Sequence, residues 1–97
     1  MINEKKIIIP NYILDLEMNS KEKIIILMIY VNGGKAITKK FLMPLCGMSD
    51  VSFRNAMTKL IGKGIVRKYK RNEDTIGQTI LYDLNMDRLM ELKNSIN

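Results

Sequence analysis

The pattern of apolar and polar positions is clearest between residues 47 and 71. Met48, Phe53, Met57 and Leu60, with Ala56 beside them, fall on one helical face at spacings of three to five. Ser49 precedes this face and suits an N-cap, because its hydroxyl can accept a bond from an otherwise orphan backbone N–H. Asp50 follows where negative charge complements the helix dipole. Gly64 stands where a left-handed residue would end the helix. The pattern thus predicts a helix from Ser49 to Lys63, then a strand from Ile65 to Lys70. Arg71 to Thr75 is a polar, turn-prone cluster. A returning strand is expected from Gln78 to Leu84, with Ile80, Tyr82 and Leu84 on one face by period two. Asn85 then caps a last helix, Met86 to about Asn94, with Met86, Leu89, Met90, Leu92 and Ile96 apolar.

Upstream, the β-branched run Lys5 to Ile9, stopped by Pro10, predicts a short N-terminal edge strand. Residues 10–16 (PNYILDL) can form a helical turn offering Tyr12, Ile13, Leu14 and Leu16 to a core or an interface. Asn19 followed by Glu22 reads as a capping box with Asn in place of Ser or Thr. The helix it opens, Ser20 to Val31, is apolar nearly all round, which is the mark of a central helix. The run Ile24 to Val31 could also form a buried strand; the cap and the length favour the helix. Gly33-Gly34 ends it. Lys35 to Ile37 predicts a very short strand, and Thr38 caps the next helix at Lys39. Phe41, Leu42 and Cys46 are expected to face inward. Pro44 lacks an N–H and collides with the preceding turn, so this helix should be short, kinked or finished near Met43.

The chain has 97 residues, of which 46% are hydrophobic, enough for one small domain with a modest core. The expected class is α+β: a three-helix core, a C-terminal β-hairpin, a short N-terminal strand and an extra C-terminal helix. No internal repeat or inter-domain linker breaks it, so residues 1–97 read as a single domain. The longest apolar run is eight residues, short of a membrane span, and Met1 to Pro10 lacks the long apolar stretch of a signal peptide. With one cysteine and no histidine, neither an internal disulfide nor a zinc set is expected, and the commonest general base is missing. Asp83 and Asp87 could be called a carboxylate pair, but no glycine-rich phosphate loop or nucleophile–base set accompanies them. No catalytic residue, metal or cofactor is expected. Cys46 reads as a small buried hydrophobe, and the eight methionines as core filling.

Charge changes the picture more than composition does. The net charge is +6. Residues 24–62 carry five bases and one acid, and residues 63–71 carry five bases and no acid, whereas residues 72–97 carry two bases and five acids. Concentrated positive charge suggests a polyanion footprint. The competing readings are a merely basic soluble protein, and a hairpin whose lysines only discourage edge pairing.

The run Gly47, Met48, Ser49, Ser52, Phe53, Ala56, Met57, Leu60, Gly64, Ile65 and Val66, with Thr38 and Leu42 upstream, resembles the recognition segment of winged helix-turn-helix DNA-binding domains. The opening IPNYILDL followed by a capped apolar helix is similar to plasmid and phage versions of that family. The resemblance covers about residues 8–84. Small size, an Ile/Lys/Asn-rich composition and no attached second domain also resemble relaxosome accessory proteins of conjugative plasmids.

The resemblance implies that the 49–63 helix enters the major groove of double-stranded DNA, presenting Ser49, Asp50, Val51, Ser52, Asn55, Thr58 and Lys59, with Arg54 at the flank. It implies a wing on the backbone or in the minor groove, bringing Lys63, Arg67, Lys68, Lys70 and Arg71. This chain departs from the family in having Asp50 and Val51 just after the cap, where basic residues are common. The wing is therefore expected to supply much of the affinity. Tyr69 among these charges reads first as a hairpin-pairing residue. A homodimer reading repeated half-sites is expected, with the 86–95 helix as a dimerisation element and a relaxase or replication protein as a further partner. The implied setting is the bacterial cytoplasm, on a plasmid or phage replicon, in transfer, replication or transcription control. The alternative is a winged helix that binds a protein and never touches DNA.

Overall fold

Three glycine-ended helices and a hairpin build the molecule, and their boundaries follow from backbone bonds. In the computed structural model, residues 11–73 and 77–95 are described. The elements are α1 (Asn11–Asp15), α2 (Ser20–Val31), β1 (Ile37–Thr38), α3 (Lys39–Cys46), α4 (Asp50–Gly62), β2 (Val66–Glu73), β3 (Gly77–Leu84) and α5 (Met86–Ser95). The three strands form an antiparallel sheet in the order β1-β3-β2. This is a small α+β arrangement, compatible with a winged-helix-like one. The expected strand Lys5 to Ile9, the side chain of Tyr12, the turn residues Asp74 and Thr75, and Ile96 lie outside the described residues.

The helix starts match their sequence signals. Asn19 Oδ1 accepts from Glu22 N at 2.9 Å, and Glu22 Oε2 accepts from Asn19 N at 3.0 Å, closing the capping box of α2. Thr38 Oγ1 accepts from Phe41 N at 3.2 Å and Ser49 Oγ from Ser52 N at 3.1 Å, capping α3 and α4. Asn85 Oδ1 accepts from Arg88 N at 3.2 Å at the start of α5.

The end of α4 is a complete Schellman motif. Gly64 N donates to Ile61 O and Ile65 N to Leu60 O, each at 3.0 Å, with Gly64 at φ +76 and both Leu60 and Ile65 buried. Gly33 and Gly34 close α2 in the same way, bonding Tyr30 O at 2.8 Å and Ile29 O at 2.9 Å.

One contiguous core joins these elements. It holds Ile25, Ile26 and Ile29 of α2, Leu42 and Cys46 of α3, Phe53, Ala56, Met57 and Leu60 of α4, and Tyr82 and Leu84 of β3. Ile13 and Leu16 and, from α5, Leu89 complete it. Phe53 and Tyr82 meet edge to face, with ring centroids 6.3 Å apart, tying α4 to the sheet.

Several boundaries and one side-chain orientation differ from expectation. The first strand is Ile37–Thr38 rather than Lys35 to Ile37, because only these residues pair with β3, opposite Tyr82 and Leu81. Helix α3 is short, as expected, at eight residues, but it does not finish at Met43 and runs through Pro44 to Cys46. It tolerates the proline because Lys40, whose carbonyl loses its partner, is exposed along with Pro44, while Leu42 and Cys46 bury the opposite side. Phe41 faces outward, not inward, at 58% exposure. Finally, Arg71 to Glu73 extend β2 rather than turning, since Arg71, Asn72 and Glu73 pair with Thr79, Gln78 and Gly77. Strand β2 begins at Val66 because the helix-ending motif uses Ile65.

Candidate nucleic-acid interface

Burial of Phe53, Ala56, Met57 and Leu60 turns the opposite side of α4 outward. Val51, Arg54, Asn55, Thr58 and Lys59 are exposed along it, with Ser49 at its start. Several of these side chains already have partners. Ser49 is the cap. Ser52 Oγ accepts from Lys21 Nζ at 3.0 Å. Arg54 is ion-paired with Asp50 one turn earlier, so the acid that stands out in the sequence is locally neutralised. Thr58 Oγ1 donates to the carbonyl of Arg54 at 2.8 Å.

The register of β2 and β3 divides the hairpin's charges between two faces. Opposed residues of an antiparallel pair lie on the same side of the sheet. Lys68 faces Tyr82 and Lys70 faces Ile80, so both share the side that carries Val66 and Leu84 onto the core. Arg67, Tyr69 and Arg71 face Asp83, Leu81 and Thr79 on the other side. There Arg67 makes a bidentate ion pair with Asp83, Nε to Oδ1 at 2.9 Å and Nη2 to Oδ2 at 3.3 Å. That hydrogen bond and the adjacent carboxylate hold the guanidinium pKa above its ordinary value. Tyr69 is half-exposed opposite Leu81, a hairpin pair as its position suggests.

Helix α4 and the β2–β3 hairpin meet across a groove of about 190 Å3. Its lining includes Lys39 of α3, Arg54 and Thr58 of α4, and Lys68 and Ile80 of the hairpin, together with Phe53 and Met57. Lys39 was not singled out in the sequence. Its place at the start of α3 gives no sign that it would share a groove with Lys68, because that depends on how the elements pack in three dimensions.

Lys63 behaves differently from the rest of the basic block. Its Nζ lies 3.2 Å from Oε1 of Glu22, a carboxylate that is 2% exposed. Arg88 Nε donates to the carbonyl of Lys63 at 2.9 Å. Lys63 and Arg88 line a second groove, of about 520 Å3, together with Asp15, Glu17 and Leu92. The structure therefore gathers Arg54, Thr58, Lys68 and Lys39 at one groove, leaves Asn55 and Lys59 along the outer side of α4, and places Lys63 elsewhere.

The remaining chemistry is sparse. Cys46 is buried, and burial pushes its thiol up to about 11. Among the described residues there is no cluster of His, Cys, Asp or Glu suited to a metal ion, and no helix long and apolar enough to cross a membrane. No protein-family model matches the chain, and no curated protein matches it.

Proposed function

We propose that this chain is a winged-helix protein that binds double-stranded DNA through α4 and the β2–β3 wing. The observation that carries this reading is the groove between them, where Lys39 and Lys68 converge with Arg54, whose guanidinium is shared with Asp50, and no acidic side chain lies in the lining itself. A polyanion is the ligand such a convergence suits. The Schellman end of α4 supports the same reading, because it carries the chain directly from the recognition helix into the basic strand.

A single module of this size covers little DNA, so the protein acts as a homodimer on repeated half-sites. Met86 and Met90 support this: they lie one turn apart on α5 and are 40% and 44% exposed. The role proposed with this reading is in transfer, replication or transcription control, with a relaxase or replication protein as a further partner; what supports it is the resemblance of the opening and 47–66 segments to plasmid and phage proteins.

One observation favours the protein-binding alternative. Phe41 and Leu45 stand one turn apart on the outer side of α3, both well exposed. A retardation assay with mixed duplex DNA at low and at raised salt separates the readings. DNA binding predicts a shift that salt weakens steeply; no shift at low salt would leave the protein-binding module.

A further inference from the structure

The outermost line of α4 carries no charge. Val51, Asn55, Thr58 and Gly62 succeed one another at spacings of four, three and four, and so lie along one line opposite the buried Phe53, Ala56, Met57 and Leu60. The charged residues sit at its flanks. Asp50 and Arg54 are paired with each other on the wing side. Lys59 lies on the opposite flank, with Ser52.

Two residues on this line have no explanation in the fold. Val51 is 62% exposed, more than any other large hydrophobic side chain among the described residues. Gly62 stands within the last turn of the helix without a positive φ, and a Cβ built there meets nothing within 4 Å. Alanine would fit that position and favour the helix. A position that breaks a local rule without a structural return points to function.

We propose that this line reads A·T base pairs in the major groove. The inference rests on the DNA-binding reading above. The methyl groups of Val51 pack on the C5-methyl of thymine, which is the only apolar group presented at the floor of that groove. Asn55, one turn further along, has the side chain that bonds adenine N6 and N7 together. Gly62 lets the far end of the helix approach the duplex without a side chain intervening. The flanking cations contact phosphates and contribute affinity, while the uncharged line contributes sequence preference.

The test starts from duplexes selected by the full chain out of a random library. Within a selected site, each thymine is replaced in turn by deoxyuridine and each adenine by 7-deazaadenine. Removing the contacted methyl should weaken binding about fourfold, as expected for one methyl returned to water. Removing the contacted N7 should weaken it at a neighbouring pair. Val51→Ala should erase the deoxyuridine penalty and Asn55→Ala the deazaadenine penalty, with both variants still binding random duplex in a salt-dependent way. Gly62→Ala should raise the melting temperature of the protein yet weaken its binding to the selected site. If the protein shifts DNA but no thymine position distinguishes thymine from uracil, the A·T assignment fails and the DNA-binding reading stands. If no duplex shifts at low salt, both fail.

Discussion

The ammonium group of Lys63 rests 3.2 Å from the buried carboxylate of Glu22, 41 residues earlier in the chain. This pair links the capped start of α2 to the end of α4. It also takes the first residue of the basic run out of line with Lys68 and Lys70. Lys63→Ala should therefore lower stability more than it lowers DNA affinity. Leaving Glu22 buried without its partner should cost about 1–2 kcal/mol, less than a fully enclosed pair because the lysine is partly in solvent. Urea unfolding measures the loss. In a binding titration of the folded variant, an affinity loss as large as that of Lys68→Ala would contradict the assignment.

The two faces of the wing should differ on DNA. Lys68→Ala is expected to reduce the slope of log K against log salt by about 0.9, the value for one phosphate contact. Arg67→Ala should reduce it less, since Asp83 already engages that guanidinium. A combined Arg67/Lys68/Lys70/Arg71 alanine variant should lose more affinity than Arg54/Asn55/Lys59 to alanine. The reverse order would show that helix α4 dominates binding.

Alkaline pH should destabilise the fold through Cys46 and Tyr82. Burial raises the thiol to about 11 from an ordinary value near 9, and it raises the Tyr82 hydroxyl as well. Above pH 9 the unfolded chain releases the thiol proton while the folded chain keeps it, so stability falls as pH rises from about 9 to about 11. Cys46→Ala should flatten that part of the profile, leaving a residual fall above the ordinary tyrosine value. The native thiol should also react with iodoacetamide at pH 8 at least about a hundredfold more slowly than in urea, since a two-unit shift lowers the thiolate fraction that much.

Gly64 should be the glycine least tolerant of alanine at the helix–wing turn. A Cβ there has room, its nearest neighbour being Arg88 Cγ at 3.9 Å, so the cost is that of a left-handed backbone at φ +76. Gly64→Ala should destabilise by about 1–2 kcal/mol and Gly64→Asn by less. Thermal unfolding of the two variants gives the comparison.

The features legible in the sequence were those fixed by neighbours along the chain. Asn19 and Glu22, Thr38, Ser49 and Gly64 each act on backbone groups within a few residues, so spacing alone locates them. Tyr82 and Leu84 followed from alternation. Pro44 goes with a short helix but does not fix where it ends, because the cost of a missing N–H depends on whether the orphaned carbonyl meets water, which is a property of packing. Arg71 to Glu73 misled because pairing with the opposite strand outweighs the turn preference of a polar cluster. The same limit applied at the candidate interface. The exposed residues of α4 could be read from periodicity. The association of Lys39 with Lys68, the capture of Lys63 by Glu22 and that of Arg67 by Asp83 are tertiary, so five cations adjacent in sequence looked like one patch.

The turn between α4 and β2 is bonded on every side. Ile65 N holds Leu60 O, Ile65 O accepts from Asn85 N at 2.8 Å, and Lys63 O accepts from Arg88. Bonds from both flanking elements tie the base of the hairpin to the end of the helix, so the two resemble the arms of a caliper set at one span. A ligand that touches both must already have, or must be bent to, the span between them. The work of fitting falls on the ligand, and how easily a given partner deforms becomes part of how this protein chooses it.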